Sequence, residues 1–364
     1  MKNLLALFFA FSLAFSQNDA LRISDWKNYT SLLSINSLSS QGEVIWGATN
    51  GGVFSYNSST KSLMKFSSVE GLSYLELSSI MADTKNRIWI GGLGGTVDVY
   101  FTQTKEWLNI KDISAAYSGL SKKINCFLQK NDSIYIASDF GISIYDISIR
   151  EFRDTYVKLG TFAAFSPVID LCFNSNEVFA LTQNGIAVAD KNNKNLISPD
   201  AWSSFPKTIH FENQNLIDIE VRNNTLYILT EFGLFKKTGN SVSKIQSFEE
   251  PSKKLALAGD KIYVALQNKI ISLNLNDQVE SATTISQNNL TNAYFGNNSL
   301  WVSTVNNGLS VVKNNTLETI DLNCPYSSSF SSIMIHSNGS LWATSSGFGE
   351  NNNPYGFYRF SEGK

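Results

Sequence analysis

Residues 43–56, EVIWGATNGGVFSY, decide the fold, because the same pattern returns through the rest of the chain. Residues 86–100 read NRIWIGGLGGTVDVY, and residues 224–237 read NTLYILTEFGLFKK. Self-similarity at a period of this size is typical of solenoids and propellers. The shared aromatic residue falls about every 40 residues, at Trp46, Trp89, Tyr135, Phe179, Tyr227, Tyr263, Trp301 and Trp342.

Each copy of the repeat is predicted to form four short strands. An alternating apolar run precedes the aromatic strand, a second apolar strand follows it, and a more polar strand closes the unit. Four strands in about 40 residues indicate a β-propeller blade, so the sequence predicts an all-β fold of that type. The aromatics, and the glycines that follow them at Gly51 and Gly141, are expected to maintain the fold, with the glycines at positive φ.

Strand counting predicts how the repeats are divided. Residues 30–322 supply a seven-bladed propeller, and residues 323–364 supply the first, incomplete blade of a second one. The chain would then be the front part of a longer protein, and a leading strand at 17–29, around Trp26, would help to close the second propeller. The alternative is a single eight-bladed ring in which the Trp26 strand completes the last blade.

The N-terminus is typical of a targeting segment. Lys2 precedes an apolar run over residues 4–15, and small residues at 14 and 16 suit a signal peptidase. The run is too short to span a bilayer, and no later stretch is long and apolar enough to form a transmembrane segment. We therefore expect a signal peptide at 1–16 and an exported mature chain.

Composition and cysteine usage exclude several classes of function. The 364 residues are 43% hydrophobic and 16% charged, with a formal net charge of −2, so no nucleic-acid partner is expected. Cys126 and Cys172 fit either two buried thiols or one disulfide, and Cys324 is the third cysteine. These thiols are far apart in sequence and only two histidines accompany them, so neither a metal site nor a cofactor is predicted.

The sequence contains no recognisable catalytic constellation. Neither histidine lies beside a plausible nucleophile, and the common nucleotide-binding and zinc-protease motifs are absent. Asp170 and Asp218 occupy matching places in predicted innermost strands, within reach of each other in the central channel. They are interpreted as a wet channel wall or, alternatively, as the acid pair of a glycan-active enzyme. Lys253 and Lys254 are expected on a solvated turn.

Binding by loops is the more natural use of a propeller, because loops on a rigid scaffold carry function. The turns between second and third strands and the connections from fourth to first strands should open on one face. Exposed aromatic rings there would suit a protein partner or a sugar, unless they tuck under neighbouring turns. The candidate residues on these loops are Tyr74, Tyr117, Asp139, Phe140, Asn184, Glu231 and Phe232.

Two resemblances to known families follow from particular motifs. The Gly-Leu-Ser heads at 71–73 and 119–121 resemble the repeats of two-component-regulator propellers. Residues 26–56, 140–160 and 184–205 resemble the N-terminal propeller of the PorZ family, whose members are components of the type IX secretion machinery. That resemblance implies two seven-bladed propellers and a protein at the cell surface or associated with the outer membrane. It also implies secretion-system proteins as partners and anionic lipopolysaccharide as a ligand.

The function expected from these observations is non-enzymatic. The chain would be a surface component of the type IX secretion system that binds protein partners, and lipopolysaccharide, during cargo attachment. The first rival is the periplasmic sensor propeller of a two-component regulator. The second is a glycan-active propeller enzyme that uses Asp170 and Asp218.

Overall fold

Antiparallel sheets of short strands dominate the described part of the chain. The computed structural model describes residues 27–285, 289–305, 307–345 and 356–360. The predicted signal peptide at 1–16 and the aromatic residue Trp26 of the leading strand lie outside the described residues. Within them, seven sheets have four strands each and an eighth has three, which confirms the predicted all-β propeller fold.

The strands of each sheet pair in chain order as a simple meander. Those of the first four sheets are β1 Ile35–Gln41, β2 Val44–Thr49, β3 Gly52–Asn57, β4 Leu63–Phe66, β5 Leu77–Ala82, β6 Arg87–Gly92, β7 Val97–Phe101, β8 Glu106–Ile110, β9 Ile124–Lys130, β10 Ser133–Ser138, β11 Gly141–Asp146, β12 Glu151–Tyr156, β13 Val168–Phe173, β14 Glu177–Thr182, β15 Gly185–Asp190 and β16 Trp202–Pro206. The next three sheets comprise β17 Leu216–Arg222, β18 Thr225–Thr230, β19 Gly233–Thr238, β20 Ser241–Ser247, β21 Ser252–Ala258, β22 Lys261–Leu266, β23 Lys269–Leu273, β24 Val279–Thr284, β25 Leu290–Gly296, β26 Ser299–Thr304, β27 Gly308–Lys313 and β28 Thr316–Thr319.

Among the residues that the structure describes, helical structure is confined to single turns in the connections. The turns are Asp112–Ala115, Lys207–His210 and the 3-10 turn Pro199–Ala201. Within the described ranges there is accordingly no apolar helix of membrane-spanning length.

In the seven four-stranded sheets, the repeated aromatic residues lie in the second strand and pack against a neighbouring sheet. The Trp89 ring meets Tyr145 of the next sheet with centroids 5.6 Å apart, and Trp301 of the seventh sheet meets Tyr56 of the first at 6.1 Å. Burying a large side chain in this way stabilises the fold by about 1.5–3 kcal/mol relative to exposure. The aromatics therefore maintain the packing between sheets, as the repeat predicts.

The turn glycines follow the prediction only in part. Gly141 has φ 137°, and a Cβ there would lie 2.3 Å from the carbonyl oxygen of Tyr156. Positive φ at Gly51 was the wrong expectation, because the next residue, Gly52, adopts it with φ 122°. Gly51 is instead required by close approach, since its Cβ would meet the Ser31 carbonyl oxygen at 2.1 Å.

The first strands of the four-stranded sheets contact one another in a closed cycle, β1–β5–β9–β13–β17–β21–β25–β1. Apolar clusters fill the junctions, and one of them joins Ile35 and Phe54 of the first sheet to Leu309 of the seventh. We propose on these contacts that the seven sheets form one ring. An eight-bladed ring would place the eighth sheet between β25 and β1, where the two strands contact each other directly.

The eighth sheet contains β29 Phe330–Ile335, β30 Leu341–Ser345 and β31 Phe357–Phe360. The described part of the predicted leading strand, residues 27–29, forms no strand, although the Tyr29 ring lies 4.3 Å from that of Phe360. The backbone N–H of Ser31 donates to the Ser328 hydroxyl at 2.9 Å, so the segments that enter and leave the ring are held together. That residues 323–364 begin a second propeller remains a proposal.

Candidate binding face

The turns between second and third strands lie at the same end of the ring as the fourth-to-first connections. In the third sheet, the backbone N–H of Asp139 on a turn donates to the carbonyl of Lys123 on a connection at 3.1 Å. In the fifth, the N–H of Glu231 donates to the carbonyl of Asn215 at 2.9 Å. We call this end the upper face; its connections include residues 67–76, 111–123, 157–167, 207–215 and 248–251.

A group of three aromatic rings joins the connections on either side of the third sheet. The exposed Tyr117 ring, between β8 and β9, lies 5.1 Å from Phe140 and 5.3 Å from Phe165. Phe165, between β12 and β13, is also exposed. Phe140 is only 1% exposed, so its ring tucks under the turn, which is one of the two alternatives that the sequence left open. It supports the Tyr117 ring from below.

Both exposed rings of this group are carried on left-handed backbone. Tyr117 has φ 44° and Phe165 has φ 59°. Non-glycine residues in this region are strained by about 1–3 kcal/mol each, and such positions are concentrated at functional sites. Apolar anchors compensate the strain: Ile113 is buried in the first connection, and Leu159 and Phe162 are buried in the second.

Asp139 braces the turn below this group. Its carboxylate accepts a hydrogen bond from the Ser121 hydroxyl at 2.5 Å and another from the Asn125 side-chain amide at 2.8 Å. The same Asn125 amide donates to the Val168 carbonyl of the next sheet at 2.9 Å. The geometry thus gives Asp139 a role in positioning loops.

The remaining candidate loop residues lie on the loops of other sheets. Tyr74 is exposed, and its hydroxyl donates to the Glu76 carboxylate at 3.2 Å. Asn184 is exposed, Phe232 is 39% exposed, and Glu231 accepts a hydrogen bond from the Asn215 side chain at 2.9 Å. Sequence reasoning missed Phe165, because connection 157–167 lacks the Gly-Leu-Ser motif that marks the connections at 71–73 and 119–121.

A polar group of side chains lies among the first strands of the sheets, next to a bulge in each strand. The pairing register shifts between Val168 and Asp170 in β13, between Leu216 and Asp218 in β17, and between Ser252 and Lys254 in β21. Bulges re-aim side chains. The polar residues at this position are, from the first sheet to the seventh, Ser37, Ser79, Cys126, Asp170, Asp218, Lys254 and Asn292.

Lys254 joins the two aspartates that the sequence singled out. Its Nζ lies 2.6 Å from Asp218 Oδ1 and 3.7 Å from Asp170 Oδ2, and Asp218 also accepts the Leu255 backbone N–H at 2.7 Å. Asp170 and Asp218 are therefore within reach of each other through one ammonium group. The expectation that Lys253 and Lys254 lie on a turn is wrong, because both lie in β21. Lys254 pairs across the junction between two sheets.

Burial dominates the electrostatics of this cluster. It raises the pKa of Glu220 to about 7, and the negative charge of Asp170 adds to the shift while Lys254 opposes it. Burial also raises the pKa of Asp218 well above its usual range, although Lys254 again opposes the effect. Burial lowers the pKa of Lys254, but the charges of Asp218 and Asp170 outweigh it and keep the pKa above its usual value.

The cysteines beside the cluster are free thiols, so the disulfide alternative for Cys126 and Cys172 is not adopted. Burial raises the pKa of both thiols, and the charge of Asp170 adds to each shift. Among the described residues no group of histidine, cysteine and carboxylate side chains could hold a metal ion. An ion pair that holds three blades together is what the geometry of the cluster supports.

The propeller fold described above agrees with the similarity of this chain to a known family. Residues 45–203 match the family model "TSS9, PorZ, N-terminal beta-propeller domain". The resemblance to the PorZ family expected from the sequence is thereby confirmed. No curated protein shows significant similarity to the chain.

Solved structures agree on the fold. PorZ of Porphyromonas gingivalis, described as an essential bacterial surface component of the type IX secretion system, aligns with a TM-score of 0.73 and 16% identity over 92% of this chain and 46% of its own. The extracellular domain of a hybrid two-component system from B. thetaiotaomicron aligns with a TM-score of 0.61 and 15% identity over 86% of this chain and 50% of its own. The chain thus spans about half the length of both proteins. Identities this low show the fold alone.

Proposed function

We propose that the protein is a non-enzymatic surface component of a type IX secretion system that binds protein partners. The PorZ family match over residues 45–203 carries this proposal, and the structural similarity to PorZ over 92% of the chain supports it. Anionic lipopolysaccharide is the further ligand proposed, and we expect the protein to be exported to the periplasm or the cell surface and associated with the outer membrane. The proposal needs no catalytic residue and no cofactor.

Deletion of the gene in its host tests this role. Cargo proteins of the secretion system should then fail to become attached at the cell surface and should be released or retained. Re-expression of the complete gene should restore attachment. Normal attachment of cargo in the deletion strain would contradict the proposal.

A sensor propeller is the second candidate, because the extracellular domain of the two-component system has a TM-score of 0.61 to this chain. The same deletion strain separates the two functions. A sensor role predicts unchanged cargo attachment together with altered transcription of genes that answer to an extracellular stimulus. A secretion role predicts the reverse.

The glycan-active enzyme is a weaker alternative. It needs two carboxyl groups that are free to serve as acid and base or nucleophile. Asp218 is instead engaged by Lys254 at 2.6 Å and by the Leu255 N–H at 2.7 Å. Hydrolysis of surface polysaccharide that is lost on Asp218→Asn and retained on Asp139→Asn would restore this alternative.

A further inference from the structure

The upper face is most basic across the two neighbouring connections 111–123 and 157–167. Connection 111–123 contains Lys111, Lys122 and Lys123 with a single acid, Asp112, and connection 157–167 contains Lys158 and no acid. The charged residues of connections 67–76 and 248–251 are all acidic, with two in each connection. The exposed rings of Tyr117 and Phe165 fall in the two basic connections.

Backbone hydrogen bonds place two of these lysines beside the rings. The carbonyl of Lys123 accepts the N–H of Asp139, the neighbour of Phe140 in sequence, at 3.1 Å. Lys158 follows Val157, whose carbonyl accepts the Phe165 N–H at 2.6 Å. Lys123 and Lys158 are exposed, and neither forms an ion pair with any residue that the structure describes.

We propose that Tyr117, Leu120, Phe165, Lys123 and Lys158, here called the patch, form a docking surface for an acidic protein segment with an exposed apolar side chain. The inference deepens the proposed function and rests on it, because it locates where a protein partner binds. Leu120 is 39% exposed, as is Phe165, so the patch has an apolar centre. Unpaired lysines around such a centre complement negative charge on the partner.

The arrangement of the rings favours a protein over a sugar. The planes of Tyr117 and Phe165 meet at 66°, with centroids 5.3 Å apart. Successive sugar rings stack on faces that lie roughly parallel, whereas an edge-to-face pair leaves an angled notch that accepts one side chain. Phe140 supports the Tyr117 ring, and the Tyr117 ring packs on Phe165, so little entropy is lost when a partner binds.

Selection from a phage-displayed library of random peptides tests the proposal. Binders to the full chain, counter-selected on the Phe165→Ala variant, should combine Asp or Glu with Phe, Trp or Leu. Truncation of a central aromatic contact should weaken a selected peptide by about fivefold or more in Tyr117→Ala or Phe165→Ala. Lys123→Glu with Lys158→Glu should weaken it similarly, and more at low salt than at high salt.

The matched control is Tyr74→Ala. Tyr74 is 40% exposed and Tyr117 is 42% exposed, but Tyr74 belongs to an acidic connection of the same face. The control should bind the peptide within about twofold of the wild-type chain. The double lysine variant removes side chains without ion-pair partners, so it keeps the test valid even where an aromatic variant fails to fold.

Three results would overturn the inference. Selected peptides without acidic residues, or equal affinity in the patch and control variants, would remove the docking surface. If no peptide is selected, and an oligogalacturonate probe binds the wild-type chain but not the patch variants, the patch is a sugar site. Normal cargo attachment in a Lys123→Glu/Lys158→Glu strain would exclude the patch, while loss of attachment on gene deletion leaves the secretion role standing.

Discussion

At the scale of single residues, one ammonium group serves acidic side chains of two different sheets. Lys254 pairs with Asp218 at 2.6 Å and lies 3.7 Å from Asp170, with Glu220 nearby on β17. Breaking a buried ion pair costs more than forming it gains, because the remaining charge loses its partner. The cluster is therefore sensitive to loss of the cation.

Lys254→Met should lower the free energy of unfolding by about 2–4 kcal/mol at pH 7.5, because the acidic side chains then lack a countercharge. The deficit should shrink as the pH falls through about 7 and below, because the carboxyl groups of Glu220 and Asp218, whose pKa values are raised, then bind protons. Guanidinium denaturation at several pH values measures it. Lys253→Met is the matched control, within about 0.5 kcal/mol of the wild-type chain; an equal loss there would refute the role of Lys254.

The contribution of Glu220 to the free energy of unfolding should change with pH in the direction opposite to that of a salt-bridged carboxylate. Its pKa is about 7 when folded against a usual 4.5, so the folded state binds the proton more tightly. Stability from this group is therefore lost as the pH rises from about 4.5 to 7. Glu220→Gln should be more stable than wild type by about 1–3 kcal/mol at pH 8 and nearly equal at pH 4. An equal difference in the free energy of unfolding between Glu220→Gln and wild type at pH 4 and at pH 8 would contradict this.

The sequence predicts which residues of these sites carry charge, and it does not predict which of them meet. Matching places in two repeats suffice to bring Asp170 and Asp218 together. The sequence does not place Lys254 with them, because its short charge run with Lys253 is typical of a solvated turn and hides the start of β21 at Ser252. Phe165 and the burial of Phe140 depend on contacts between connections that are distant in sequence.

At the scale of elements, the aromatic second strand determines how sheets pack. The pattern is visible in the sequence because each blade needs the same apolar strand and the same tight turn after it. In the seventh sheet, Trp301 is 3% exposed and its indole N–H donates to the Gly296 carbonyl at 3.1 Å. Its ring contact with Tyr56 links the last sheet of the cycle to the first.

Trp301→Ala should destabilise the ring by about 3–5 kcal/mol, because it opens a cavity at the junction that closes the cycle. Trp342→Ala, in the three-stranded sheet, should cost clearly less, since that indole is only half-buried. Chemical denaturation followed by tryptophan fluorescence compares the two variants. A larger loss for Trp342 would argue that the eighth sheet, and not the seventh, completes the ring.

At the scale of the whole molecule, the described contacts close a cycle through seven sheets, with the eighth attached beside the entry segment. A chain of residues 27–324 should therefore fold cooperatively on its own. It loses the exposed bonds to Ser328 and Tyr326, worth about 0.5–1.5 kcal/mol each. Circular dichroism and a single denaturation transition would report folding. An aggregated or broadly melting product would instead favour the eight-bladed ring.

The hydrogen bonds between Ser31 and residues 326–328 also have a mechanical consequence. In the seven-sheet ring proposed above, the chain enters and leaves at neighbouring points, so tension applied between the two flanking segments would act there. These few bonds and the packing of Leu32 beside Cys324 bear the load before any blade is stretched. We therefore expect a pull on the flanking segments to break these contacts before it distorts the upper face.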